Sequence, residues 1–249
     1  MKTAAHIEVL DREGVLLAAA AESAGTGAPV PTCPSWRVRD LLRHTGMVHR
    51  WATAFVAEGH TGPRPAEDLT DLDGAPLLTW FREGHGRLVD TLAGAAPGVW
   101  CWSFLPAPSP LAFWARRQAH ETTVHRLDAE SARGGEPTGI GVEFAVDGVD
   151  ELLCAFHARP KSAVRTEEPR TLRVRATDAT DAVWTVRLSA QPPVTVREDA
   201  EDAEDADCEL SGPAAQLYPA LWNRRPFPEV AGDASLAALW RERSRVTWG

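Results

Sequence analysis

From Ala4 to about Ala24, apolar residues recur at helical spacing (Ile7, Leu10, Val15, Leu16, Ala19) until the Gly- and Pro-rich GTGAPVPTCPSW breaks the pattern. That predicts one helix and then a loop. A second helix is predicted from Val38 to Gly59, with Leu41, Leu42, Val48, Trp51, Ala52 and Phe55 forming its apolar stripe. A third runs from roughly Ala75 to Ala93 through Leu77, Leu78, Trp80, Phe81, Leu88 and Leu92, and a fourth follows PAPSP from Leu111 to about Ala132. Four such stripes joined by loops predict a helix bundle whose polar interior positions need an explanation.

A further helix near Phe144 to Ala158 leads to a change of period. Beyond ARPKSAVRTEEP, the stretches TLRVRAT, AVWTVRLS and PVTVRE alternate apolar with polar, the signature of strands. The run EDAEDAEDADCEL reads as a solvated turn or loop between strands, because like charges repel and resist burial. SGPAAQLYPALWNR then has a helical pattern behind a Ser-Gly-Pro start, and the tail SLAALWRERSRVTWG predicts a short helix and a final strand. The expected fold class is therefore α+β in two domains: a helical domain over 1–160 and a smaller α/β domain over 161–249.

Composition narrows the function classes. The 249 residues, 44% hydrophobic, suffice for two modest domains with real cores. A formal net charge of −9 with scattered Lys and Arg lacks the basic footprint that phosphate backbones require, so no nucleic-acid partner is expected. No apolar run is long enough to span a bilayer, and the opening MKTAAHIEVLDREG carries acidic residues where a signal peptide would be apolar, so no membrane partner and a cytoplasmic location are expected. Cys33, Cys101, Cys154 and Cys208 are far apart with no CxxC pair, and read as reduced thiols, with Cys154 in the core.

The segment QAHETTVHRLDAE carries the candidate chemistry. His120 and His125 are five apart and diverge by about 140° on a helix, too far to grip one ion, so the zinc-protease arrangement fails. Glu121 and His125 are four apart and lie on one face, making half of a transition-metal site. His44 lies on the stripe of Leu41 and Val48 and so faces the bundle interior, where a buried imidazole needs a partner. Two imidazoles and a carboxylate from facing helices leave a divalent ion with open positions, as in catalytic zinc sites. By the same helical geometry His49 and His120 fall off this face, as supporting or surface residues, and His6, His60, His85 and His157 have no spacing that recruits them.

Four stretches, VPTCPSWRVRDLLRHTGMVHRW, ARRQAHETTVHRLDAE, VDGVDELL and LYPALWNRRP, together resemble the mycothiol-dependent maleylpyruvate isomerase family, a branch of the DinB-like metal-binding four-helix bundles. The resemblance spans essentially the whole chain. It implies a metal triad at His44, Glu121 and His125, the same residues that helical spacing selects, and a C-terminal domain resembling sterol carrier protein folds. It implies a divalent ion, usually zinc, and mycothiol as thiol cofactor: the sulfur is bound as thiolate, adds to a cis double bond, permits rotation and is expelled from the trans product.

The resemblance also implies a catalytic arginine, matched approximately by Arg224 or Arg225. Trp36, Trp51 and Trp114 lie near the metal segments and are candidates to line the cofactor pocket. The function expected is a metal-dependent isomerase or thiol transferase whose partners are a low-molecular-weight thiol and a small electrophile. The alternative is a non-catalytic protein that binds a metal or small ligand, or a regulatory partner.

Overall fold

The computed structural model describes residues 1–66, 69–198 and 205–245. These form two compact units, Met1–Thr138 and Gly139–Gly249. The first unit holds four helices: α1 (Thr3–Ala24), α2 (Val38–Glu58), α3 (Gly74–Gly94) and α4 (Pro110–Arg133). Their ends follow local chemistry. The Asp40 carboxylate accepts the Arg37 backbone N–H at 2.8 Å ahead of α2, and Gly59 closes that helix in the left-handed conformation at φ 65°. Ser109 caps α4 through the Ala112 amide, with Pro110 in the first turn.

Leu17 and Ala21 of α1, Leu41 and Leu42 of α2, and Leu77 and Phe81 of α3 pack around Ala129 of α4 in one apolar core. Two glycines permit close approach between helices. A methyl group at Gly14 of α1 would overlap the His85 ring of α3, and one at Gly46 of α2 would overlap the Trp80 ring. The Arg50 guanidinium stacks on that same Trp80 ring, 3.7 Å from its centroid.

α4 departs from the amphipathic expectation. Every residue from Arg117 to Glu130 is buried, including His120, Glu121, Thr122, Thr123, Arg126 and Asp128. Some of its polar groups bond across the bundle: Arg126, fully buried, donates to Glu13 of α1 at 2.8 Å and to Glu130 at 2.7 Å.

The second unit is a five-stranded sheet with three helices and a π-helical turn. Strands β1 (Arg170–Ala176), β2 (Val183–Leu188), β3 (Val194–Glu198), β4 (Cys208–Gly212) and β5 (Glu229–Gly232) stand in the order β3-β2-β1-β4-β5. The β1–β4 pair is parallel; the other pairs are antiparallel. Leu172, Val174 and Ala176 of β1 alternate into the core, as the period of two predicts. Helix α5 (Val142–Asp150) passes into the π-helical turn Glu151–Phe156; α6 (Ala214–Leu221) and α7 (Ala234–Arg243) complete the unit. Aromatic contacts tie the helices together: Phe144 of α5 to Tyr218 of α6, and His157, just past the π-helical turn, to Trp240 of α7.

The units divide ahead of the change of period at which the sequence suggests a boundary, because α5 packs on α6 within the second unit. β4 and β5 add to the three strands that alternating periodicity announces. Cys208, Glu209 and Leu210, expected as the end of a solvated acidic loop, form β4 instead, with Cys208 and Leu210 fully buried opposite β1. The rest of that run falls largely on residues 199–204, and the expected final strand on 246–249, both outside the described residues. All four cysteines are free thiols; Cys154 is half-buried rather than core, its Sγ 3.6 Å from the Asp150 carboxylate. Among the described residues no helix is long and apolar enough to cross a membrane.

Candidate metal centre

The four-residue spacing on α4 and the inward stripe of α2 bring three donor side chains to one point. Glu121 Oε1 lies 3.2 Å from His44 Nε2 and 3.2 Å from His125 Nε2. One ligand atom from each of the three residues lies within 4.8 Å of the others. The side chains of His44, Glu121 and His125 retain 11%, 8% and 9% of their accessible surface, so the cluster is nearly enclosed but not sealed from solvent.

The electrostatics are those of a buried anion between bases. Burial by itself would raise the Glu121 pKa, but hydrogen bonds with His125 and His44 hold it well below the usual carboxylate range. Arg117, also buried, donates to the other carboxylate oxygen, Oε2, at 3.2 Å. Burial likewise would lower the pKa of His125; its bonds to Asp128 and Glu121 overcome this and push it up to about 9. Two imidazole nitrogens and a carboxylate oxygen are the donor set that suits a divalent transition metal, zinc among them. These residues fit such an ion.

The surroundings contain groups that spacing alone did not single out. Asp128 accepts the His125 Nδ1–H at 2.9 Å on Oδ2, and Thr32 donates to its Oδ1 at 2.6 Å. Cys33 Sγ lies 3.7 Å from Oδ2. The only sequence signal for Asp128 was its place three residues after His125, within reach on a helix. Thr32 gave none.

Trp36, half-buried, packs on both histidines: its ring is 5.0 Å from that of His44 and stacks on His125 at 5.9 Å and 24°. Trp51 and Trp114 belong to an aromatic cluster with Phe55, Trp102 and Phe104. Trp114 is fully buried and donates its indole N–H to the Trp102 carbonyl.

His49 and His120 are both fully buried, which removes the surface option for each. His49 Nε2 is 2.9 Å from the Thr122 hydroxyl, next in sequence to Glu121, and burial together with His85 lowers its pKa well below the ordinary value. His120 meets the His6 ring edge-on at 6.0 Å. His85, also buried, is 3.1 Å from the Leu10 carbonyl. In the second unit, Arg224 is half-buried and donates to the Trp222 carbonyl at 2.8 Å; Arg225 is exposed, and its carbonyl accepts from Arg241.

A family model described as the mycothiol maleylpyruvate isomerase N-terminal domain matches residues 8–130, and one described as the MDMPI C-terminal domain matches residues 143–239. Among solved structures, a crystal structure of a histidine-to-alanine mutant of the mycothiol-dependent maleylpyruvate isomerase is similar at TM-score 0.62 and 13% identity, covering 90% of each chain. A second crystal structure of that isomerase is similar at TM-score 0.59 and 13% identity, covering 88% of each chain. No curated protein sequence matches the chain.

Proposed function

Because the chain belongs to the mycothiol maleylpyruvate isomerase family, we propose that it is a metal-dependent enzyme acting with a low-molecular-weight thiol, mycothiol, on a small electrophile. The reaction class is cis–trans isomerisation or thiol transfer. The observation that carries this reading is the convergence of His44 Nε2, Glu121 Oε1 and a His125 ring nitrogen within 4.8 Å.

Those three residues would hold a divalent ion, zinc being the one the donor set suits. Bound there, it would supply Lewis acidity that favours the thiolate form of a thiol at neutral pH. The remaining work falls to the chain. Arg117 offsets the charge of Glu121 and turns Oε1 toward the histidines. Trp36 supplies an apolar face beside His44 and His125 against which a thiol's carbon skeleton can rest. Arg224 or Arg225 would clamp a carboxylate of the substrate or the thiol through paired hydrogen bonds. In the second unit, the resemblance to sterol carrier protein folds belongs to the same reading.

The test is zinc content and mycothiol binding, measured on the wild type and on His44→Ala. About one zinc per chain and mycothiol binding, both lost in the variant, are the expected results. Stoichiometric zinc without thiol binding would point to a non-catalytic metal protein. No retained metal would leave a bundle with paired buried histidines.

A further inference from the structure

The geometry points to Asp128 as a positioning residue of the metal centre, one that sets the orientation of His125 and anchors the loop carrying Trp36. The inference rests on the metal reading above. Asp128 is fully buried, where an isolated carboxylate is costly unless its oxygens are bonded. Its two oxygens face different ways. Oδ2 accepts the His125 Nδ1–H at 2.9 Å, and Oδ1 accepts the Thr32 hydroxyl at 2.6 Å.

The first bond fixes the imidazole. With Nδ1 committed as donor, the neutral ring keeps its lone pair on Nε2, the nitrogen 3.2 Å from Glu121 Oε1. A carboxylate behind a ligating histidine fixes its tautomer and raises its basicity. The second bond reaches a different element. Thr32 sits in a loop whose ends are joined by the Pro29–Arg37 bridge and by the Val30 N–H bonded to the Trp36 carbonyl. Within that loop the Trp36 N–H bonds the Cys33 carbonyl, and Cys33 Sγ is itself 3.7 Å from Oδ2. The Trp36 ring then lies on His44 and His125. One carboxylate thus holds both a ligand and the loop that covers it.

Zinc affinity, measured by competition with a chromophoric chelator, tests this in the full chain with Asp128→Ala, Asp128→Asn and Thr32→Val. Loss of the carboxylate in Asp128→Ala is expected to weaken zinc binding by about tenfold to hundredfold. Asp128→Asn keeps an acceptor for the Nδ1–H without the charge and should recover part of that loss. Thr32→Val, which removes the hydroxyl bond to Oδ1 while sparing the His125 bond, should fall between Asp128→Asn and the wild type. With cobalt in place of zinc, the visible spectrum of Asp128→Ala should shift, reporting a changed ligand field that a purely structural role would leave alone.

If wild type binds zinc and every folded variant binds it within about twofold of wild type, a factor far below the effect of losing such a partner, Asp128 has no positioning role. Should Asp128→Ala fail to fold, the two shape-conserving variants decide the matter by the same criterion. A wild type that binds no zinc overturns the metal reading and this inference together.

Discussion

Glu121 Oε1 and His125 Nε2 stand 3.2 Å apart, one turn from each other on α4, inside a bundle that shields both from solvent. Without an ion between them they form a charge pair: the carboxylate is held ionised, and His125, pushed up to about 9, is an imidazolium at neutral pH.

A divalent ion needs the neutral ring, so metal binding below about pH 9 must expel the His125 proton. Apparent affinity is therefore lowest in acid and rises with pH, by about tenfold per unit while one proton is displaced, before levelling off above that pKa. Titration calorimetry at pH 7 in buffers of different ionisation enthalpy should show about one proton released per ion from this residue. A buffer-independent heat would rule out the ion pair.

His157 should make the second unit acid-sensitive. Burial first, and then the charge of Arg159, lowers its pKa to about 4. The folded state therefore resists protonation that the unfolded chain accepts from about pH 6.5 downward. Stability is full above that value and falls as pH drops toward 4, by about 2 kcal/mol between pH 7 and pH 5. Urea unfolding of wild type and His157→Gln at both pH values checks this: the variant should lose that share of the pH dependence. Parallel curves would exclude His157 as the source.

Arg126 of α4 pairs with two buried carboxylates, Glu13 across on α1 and Glu130 one turn on in α4. Removing the cation leaves both anions without that partner in the interior, so Arg126→Met should cost about 3–5 kcal/mol. Denaturant midpoints of the variant and the parent measure it. A loss under about 1 kcal/mol would mean that the pair contributes no more than an exposed one.

Much of the architecture was readable because it rests on local rules. The stripes of α2 and α3 predicted their helices, and His44 could be assigned inward because it shares a face with Leu41 and Val48, both fully buried. The spacing of Glu121 and His125 sufficed to pair them. What stayed hidden depends on distant partners. β4 forms because Leu210 and Cys208 pair in parallel with β1, a match between segments that share no local pattern. Thr32 meets Asp128 across a loop-to-helix contact that no periodicity encodes. α4 is buried on all sides, so helical periodicity left the surface option open for His120 and gave no reason to single out Asp128.

The notches at Gly14 and Gly46 carry a consequence for how this sequence can drift. Each is filled by a ring from α3, so a bulkier residue at 46 is tolerable only if position 80 shrinks in step, and the same bargain binds 14 to 85. Gly46 is two residues from His44, so a mismatch there would tilt the helix that carries this imidazole before it altered any donor atom. Divergence along this seam must proceed by paired exchange, leaving the register of α2 against α3 among the slowest properties of the fold to change.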